Sequence, residues 1–341
     1  MKPGRRKQLI LLACLLLAGA VPAAAQAQRV RLATLAPKGS SFHQILLAMG
    51  EKWRRAPGGG VALTVYTDGT MGSEADVVRR MRIGQLQAGM LTAGGLAEID
   101  KAVTALQYMP MMFRSLEEVD YIQEKLQPDL EQRLLDKGFV VLFWGDAGWI
   151  RYFCREAVVR PADLKKLKVF VGAGDNDQLE IVRAAGYRPV PLETNDMLTG
   201  LQTGMIDAVP TIPVHALASQ IYTVARHMLE LNWAPLVGAT VLTRKAWDGL
   251  SPEARTAVMQ AAREAGAQIK ARSRAESQEA VQAMQKRGLI VHRVPPDAEA
   301  EWRKLAESVY PQIRGRMVPA DMFDKVRRLL EEYRAAKKTG K

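Results

Sequence analysis

The chain is poor in the residues that most enzyme chemistries need. Only two of its 341 residues are cysteine and four are histidine. Cys14 lies in the first apolar run, so Cys154 stands alone once that run is removed. No intramolecular disulfide can then brace the fold, which must rest on its core. His43, His215, His227 and His292 show no HExxH spacing and have no cysteine cluster beside them, which argues against a zinc site. No GxSxG elbow occurs, and no nucleophile–base pair can be read that would support an exported hydrolase. Aromatics make up 6% of the chain and do not interleave with a basic stripe, so nucleic acid is not expected as a partner. Neither a metal nor a cofactor is expected, and no catalytic residue is nominated. Past residue 27 no apolar run is long enough to span a bilayer.

What is present begins at the amino end. Lys2, Arg5, Arg6 and Lys7 precede the apolar run Leu9 to Val21, and small residues follow, with cleavage positions after Ala25 or Ala27. This predicts a secretory signal over residues 1–27 and an exported, soluble mature chain, which the resemblance described below would place in the periplasm. Cys14, after Leu11-Leu12-Ala13, loosely resembles a lipid-attachment cysteine, but too few apolar residues precede it. Removing the four bases lowers the net charge from +12 to +8. The remaining charge reads as a solvated surface.

One pattern occurs twice. In Val78 to Thr92 and again in Leu198 to Thr211, a helical stretch ends at a glycine and a short apolar run follows. Gly84 lines up with Gly204, Leu86 with Ile206 and Ala88 with Ala208. A helix C-cap running into a buried strand explains each copy. Two copies predict two lobes of like design, and the cleft between such lobes is a favoured ligand site. The rest alternates in the same way. Strands are expected at 30–35, 61–66, 89–91, 139–144, 168–171 and 206–209. Helices are expected at 42–55, 74–83, 115–126, 178–185 and 195–202, which together imply mostly parallel sheets covered by helices. Ser251 and Pro252 open the longest helix, which runs to about Lys286 and is about 50 Å long, enough to lie behind both lobes. Gly172-Ala173-Gly174 looks like the start of a dinucleotide loop. Asp177, however, stands where the third glycine belongs, and an N-cap role for the local Asp and Asn residues is the simpler reading.

Read in order, several motifs resemble the substrate-binding proteins of tripartite ATP-independent periplasmic (TRAP) transporters, the family that includes dicarboxylate-binding members. They are Leu32-Ala33-Thr34 with Ser40-Ser41, Gly72-Ser73-Glu74, Met109-Pro110-Met111-Met112-Phe113-Arg114, Arg151-Tyr152-Phe153 and Pro161-Ala162-Asp163-Leu164-Lys165. Pro191-Leu192, Leu201 to Asp207, Arg244-Lys245-Ala246-Trp247 and Leu250-Ser251-Pro252 complete the set. The resemblance implies an α/β fold of two lobes with a hinge, a central cleft and a long helix spanning both. It implies a monomeric receptor that is not an enzyme, that binds a small organic ligand (a carboxylate in many members), and that passes it to membrane permease subunits. A sensor serving a signalling partner would use the same fold. The expected division is 28–148 with about 236–275 in the first lobe, and 149–235 with about 276–341 in the second.

The carry-over departs from the family at two places. Phe170 holds the position of the family's carboxylate-binding arginine, and Phe cannot imitate a planar charged fork. Thr211 stands at the polar contact position beyond the Gly204 motif. Arg151 matches a second family arginine and becomes the preferred charge anchor. Lys38, Glu74, Thr92, Trp149, Leu192 and Trp233 complete the candidate ligand-binding set, and the two tryptophans are suited to an apolar or planar ligand.

Overall fold

The structure, a computed structural model, describes residues 28–58 and 60–338. The expected signal with Cys14, and Gly59, lie outside the described residues. The chain runs β1 (Gln28–Thr34), α1 (Ser41–Arg54), β2 (Val61–Tyr66), α2 (Glu74–Arg82), β3 (Ala88–Thr92), α3 (Ala93–Ala97), α4 (Leu116–Asp136) and β4 (Phe139–Cys154). It continues through α5 (Pro161–Leu164), β5 (Lys168–Gly172), α6 (Asn176–Ala184), β6 (Arg188–Leu192), α7 (Met197–Gln202), β7 (Ala208–Thr211), α8 (Pro213–Ala218) and β8 (His227–Thr243). It ends with α9 (Arg244–Asp248), α10 (Pro252–Gln285), β9 (Ile290–Arg293), α11 (Pro296–Ile313) and α12 (Ala320–Lys338).

The strand order is β2-β1-β3-β8-β4-β7-β5-β6, with β9 added to β8. This order reads nearly the same from either end. β1 pairs in parallel with β2 and β3, as β5 does with β6 and β7. β3 then meets β8 antiparallel, and β7 meets β4 antiparallel. The fold is thus α/β with two similar lobes, and the parallel sheet expected in each is closed by one antiparallel strand.

The repeated sequence pattern explains this likeness. Gly84 and Gly204 both sit in the left-handed region, at φ +79° and +70°. Each donates its N–H back into the helix it ends, to Met81 and Leu201 respectively. A residue with a Cβ would be strained there, so glycine is what lets the chain turn at once into a strand. Leu86 and Ile206 are then fully buried, as are Ala88 and Ala208 at the strand starts.

Two strands serve both lobes. Residues 139–146 of β4 pair with 237–243 of β8 in the first lobe, and 149–154 pair with 227–235 in the second. The register shifts between Asp146 and Trp149, where Gly148 has φ +80°. The sequence showed only the apolar half of β4. The second half carries Asp146 and Arg151 and does not read as a strand, and β8 was not anticipated at all. α10 lies along this ribbon and touches α1 of the first lobe and α8 of the second. Gly266 permits the approach, since a Cβ there would lie 2.6 Å from the Cβ of Phe143.

Helix α12, expected with the second lobe, packs on the first. Phe323, Val326 and Leu330 join Val119, Ile122 and Leu126 of α4 in one core. Arg334 clamps Glu118 at 2.7 and 2.8 Å. A polar-looking carboxyl-terminal helix gave no sign of its distant partner. Burial alone would raise the Glu118 carboxyl, but the Arg334 and Arg114 contacts bring it below its ordinary value. A depressed carboxyl stabilises above its unfolded value and loses that contribution as pH falls through the folded one. α12 should therefore loosen below about pH 4. Limited proteolysis of the tail, followed against pH, checks this, and Glu118→Gln should flatten the dependence.

Arg274 on α10 binds Asp120 of α4 at 2.6 and 3.0 Å and Asp146 of β4 at 2.8 and 3.2 Å. Asp146 is buried beside the register shift. Removing the guanidinium would leave a buried carboxylate unpaired, so Arg274→Ala should lower stability by about 3–5 kcal/mol in a urea melt.

Candidate functional site

The parallel strands of both lobes point their carboxyl ends at one space, the usual place for ligands in open α/β sheets. A cavity of about 1190 Å³ opens there. The loop after β1, the α2 amino end and the β3–α3 junction form one wall. The loop after β5, the α6 amino end and the β7–α8 junction form the other. The β4–β8 ribbon lies between them, through Asp146, Ile150, Tyr152, Trp233 and Val237.

On the first wall, Glu74 opens α2 and reaches across to α3. Its Oε1 accepts from the Thr92 N–H at 2.7 Å, and its Oε2 accepts from the Thr92 hydroxyl at 2.5 Å and from the Gly95 N–H at 3.1 Å. Burial raises the Glu74 carboxyl above its ordinary value despite these three donors. The facing wall has an analogue. The Thr211 hydroxyl lies 3.1 Å from His215 Nδ1, and His215 Nε2 lies 3.2 Å from the Ser219 hydroxyl. Burial lowers the His215 pKa, so the imidazole is neutral at pH 7. Phe170 on β5 is also on this wall. Beneath, Tyr152, Trp233 and Trp302 pack edge to face and face to face, with centroids 5.6 to 6.2 Å apart.

Five of the nine nominated residues therefore meet at the cavity: Glu74, Thr92, Phe170, Thr211 and Trp233. The other four do not line it. Arg151, the preferred anchor, directs its guanidinium toward Glu230 at 3.8 Å and Asn232 at 3.5 Å, and its buried Nε has no partner. Its neighbours Ile150 and Tyr152 are on the wall instead. Trp149 is buried in the core. Leu192 packs into the second lobe at the end of β6. Lys38 is exposed, in a loop whose N–H bonds Asp68 at 3.1 Å.

The sequence reading missed Tyr108, Lys101, Asp175 as a wall residue and Tyr187, all of which line the cavity. Asp175 does cap α6, accepting from the Gln178 N–H at 3.0 Å. Gly94 lets Tyr108 approach, because a Cβ on Gly94 would come within 2.8 Å of the Tyr108 hydroxyl. Lys101 closes the cavity mouth. Its ammonium meets Asp177 of α6 at 2.8 Å, and Arg316 meets the same carboxylate at 2.9 Å and pairs with Glu180. On another side Asn195 rests against Gly69, so the lobes touch across the mouth.

A profile of the bacterial extracellular solute-binding proteins, family 7, matches residues 32–315. The chain belongs to this family. The 2,3-diketo-L-gulonate-binding periplasmic protein of Escherichia coli (strain K12) is 29% identical over 61% of this chain and 63% of its own length. The chain thus spans less than two thirds of that relative. The C4-dicarboxylate-binding periplasmic protein of Rhodobacter capsulatus is 23% identical over 76% of this chain and 78% of its own. A TRAP periplasmic solute-binding protein from Shewanella oneidensis with bound succinate matches at TM-score 0.82 and 18% identity, covering 89% of this chain and 99% of that one. Another, from Chromohalobacter salexigens with bound D-glucuronate, matches at 0.80 and 19%, covering 88% and 99%. The family resemblance read from the motifs therefore holds, and the family is one of solute receptors rather than enzymes.

Glu74 is the structural pin of the first wall. Glu74→Ala would orphan two backbone N–H groups and a hydroxyl, so stability should fall by roughly 1–3 kcal/mol in a denaturant titration.

Proposed function

We propose that this protein is a periplasmic receptor that closes its two lobes over one small organic acid and hands it to membrane permease subunits. The observation that carries the reading is the cavity walled by both lobes, in a chain of a solute-binding family. The succinate and D-glucuronate of the structural neighbours support an acid as ligand. The periplasmic names of the relatives support export, with the signal over residues 1–27 removed. In this reading the protein acts as a monomer, does not engage nucleic acid and returns its ligand chemically unchanged. The lobes divide near residues 148 and 236 and near 275 in α10, with α12 carried on the first lobe.

An acid desolvated in this cavity needs a positive partner, since an unpaired buried charge is expensive. Phe170 cannot supply it, and Arg151 faces elsewhere. Lys101 is the one Lys or Arg on the wall among the described residues. Asp177 is also held by Arg316, so Lys101 can turn to a carboxylate without leaving Asp177 bare.

Small-angle scattering with a thermal-shift screen of small acids tests this. A true ligand at a hundred times its Kd adds about 2.7 kcal/mol of stability. It should also reduce the radius of gyration relative to the ligand-free protein, and an identical profile at saturation would count against closure. Lys101→Ala should weaken binding of the acid by about tenfold, or 1.4 kcal/mol. Steady appearance of a chemically altered product would overturn the receptor reading.

A further inference from the structure

We propose that the solute also carries a protonated amine, seated between Glu74 and Asp175 beside the hydroxyl of Tyr108, in the cavity that Tyr187 also lines. The inference rests on the receptor reading and adds to it the second charge of the ligand.

The cavity wall carries a surplus of carboxylates. Asp76, Asp146 and Asp177 are paired, with Arg79, Arg274 and Lys101. Glu74, Glu98, Asp175, Glu193 and Asp196 line the same space and make no ion pair among the described residues. Glu74 has only neutral donors, from Thr92 and Gly95, and Asp175 has only the Gln178 N–H. With Lys101 the sole cation on the wall, the net charge facing a ligand is negative.

These acids converge from opposite lobes. The Tyr108 hydroxyl lies over Gly94, and the Glu74 carboxylate is bound to the next residue, Gly95, at 3.1 Å. Both therefore sit at the first turn of α3. Asp175 comes from α6 across the cleft. Burial, and then the charges of Asp175, Glu74 and Glu98, push the Tyr108 hydroxyl's pKa upward, which places all three carboxylates within its electrostatic reach. Burial likewise raises the Asp175 carboxyl.

The tyrosines provide the independent observation. Tyr187 lines the cavity at 9% exposure, and its buried hydroxyl has no hydrogen-bond partner. A buried hydroxyl without a partner is costly and marks a place for a polar group to bind. The Tyr108 hydroxyl donates no hydrogen bond to the described residues either. Phe170 and Trp233 add aromatic faces to the same walls, and such faces attract ammonium groups.

Closure would desolvate these carboxylates. A plain mono- or dicarboxylate would add like charge to a negative cavity, which opposes binding. A neutral solute would leave the carboxylates dry and unpaired. An ammonium answers the wall, while the acid end of the same molecule goes to Lys101. A zwitterionic, amino-acid-like solute satisfies both.

Calorimetry on the mature full-length chain, stripped of carried ligand by unfolding and refolding, tests the idea with two matched series. One has a phenyl body: phenylalanine, 2-phenylethylammonium, 3-phenylpropionate and 2-phenylethanol. The other has a four-carbon body: 4-aminobutyrate, butylammonium, succinate and butanol. In at least one series the amine-bearing members should bind tenfold or more tighter than their amine-free counterparts. Asp175→Asn, which keeps an N-cap residue for α6, should abolish that preference. Equal or tighter binding of succinate or 3-phenylpropionate overturns the amine and leaves the receptor reading intact. An amine preference that survives Asp175→Asn overturns the seat assigned to it. Failure of every probe, together with D-glucuronate, removes both the amine and the receptor reading.

Discussion

The β4–β8 ribbon is the constraint on which the rest depends. Both strands run through both lobes, so the two halves of the sheet cannot separate without breaking the same ladder. The ribbon changes register in three places, and the one where it passes from the first lobe to the second, between Asp146 and Trp149, is pinned. Arg274 grips Asp146 from the long helix behind, and the Ser273 hydroxyl bonds the Asp146 carbonyl at 2.7 Å. Asp120 on α4 shares the same guanidinium. A hinge needs a few residues that absorb rotation and firm bodies on either side. Gly148, in the left-handed region, lies two residues from this anchor and supplies the freedom.

Given that ribbon, the cavity follows from strand polarity. The lobes are arranged alike about the ribbon, so the carboxyl ends of β1 and β3 face those of β5 and β7. Each lobe contributes a helix amino end and a threonine at its last central strand, Thr92 and Thr211. The threonines differ in what holds them. Thr92 is bound to an acid, Glu74, and Thr211 to a neutral imidazole, His215. Equivalent scaffold positions thus carry different chemistry, which is how one duplicated design makes an asymmetric site.

Much of the fold was legible because its signals are local. The Gly84 and Gly204 turns and the Ser251-Pro252 helix start depend on residues a few places apart, and each is where the sequence puts it. β8 was missed because its pairing partners lie far away in the chain and its run is broken by Asn232, Pro235 and Gly238. α12 was misplaced because Arg334 finds Glu118 more than 200 residues back. At the site, residues that follow a strand end were found, as with Glu74, Thr92 and Thr211. Arg151 was favoured because the motif supplied a charge, but a motif does not say which way a strand residue faces. Lys101 and Tyr108 belong to the segment after α3, where no periodic pattern draws notice.

The family resemblance leads one to expect an arginine where Phe170 stands, and the site proposed here turns on that difference. An arginine fork on β5 would have dominated the cavity's field and paired with any acid. Phe170 supplies no charge there, and the lining carboxylates without an ion pair among the described residues are Glu74, Glu98, Asp175, Glu193 and Asp196. Lys101 sits at the mouth rather than the floor and already spans the lobes through Asp177. The positive charge is therefore tied to the contact between the lobes. A ligand entering this cavity meets an arrangement with its polarity spread along the cleft. In the proposed reading its orientation is set by two separated charges and an aromatic floor rather than by one bidentate clamp.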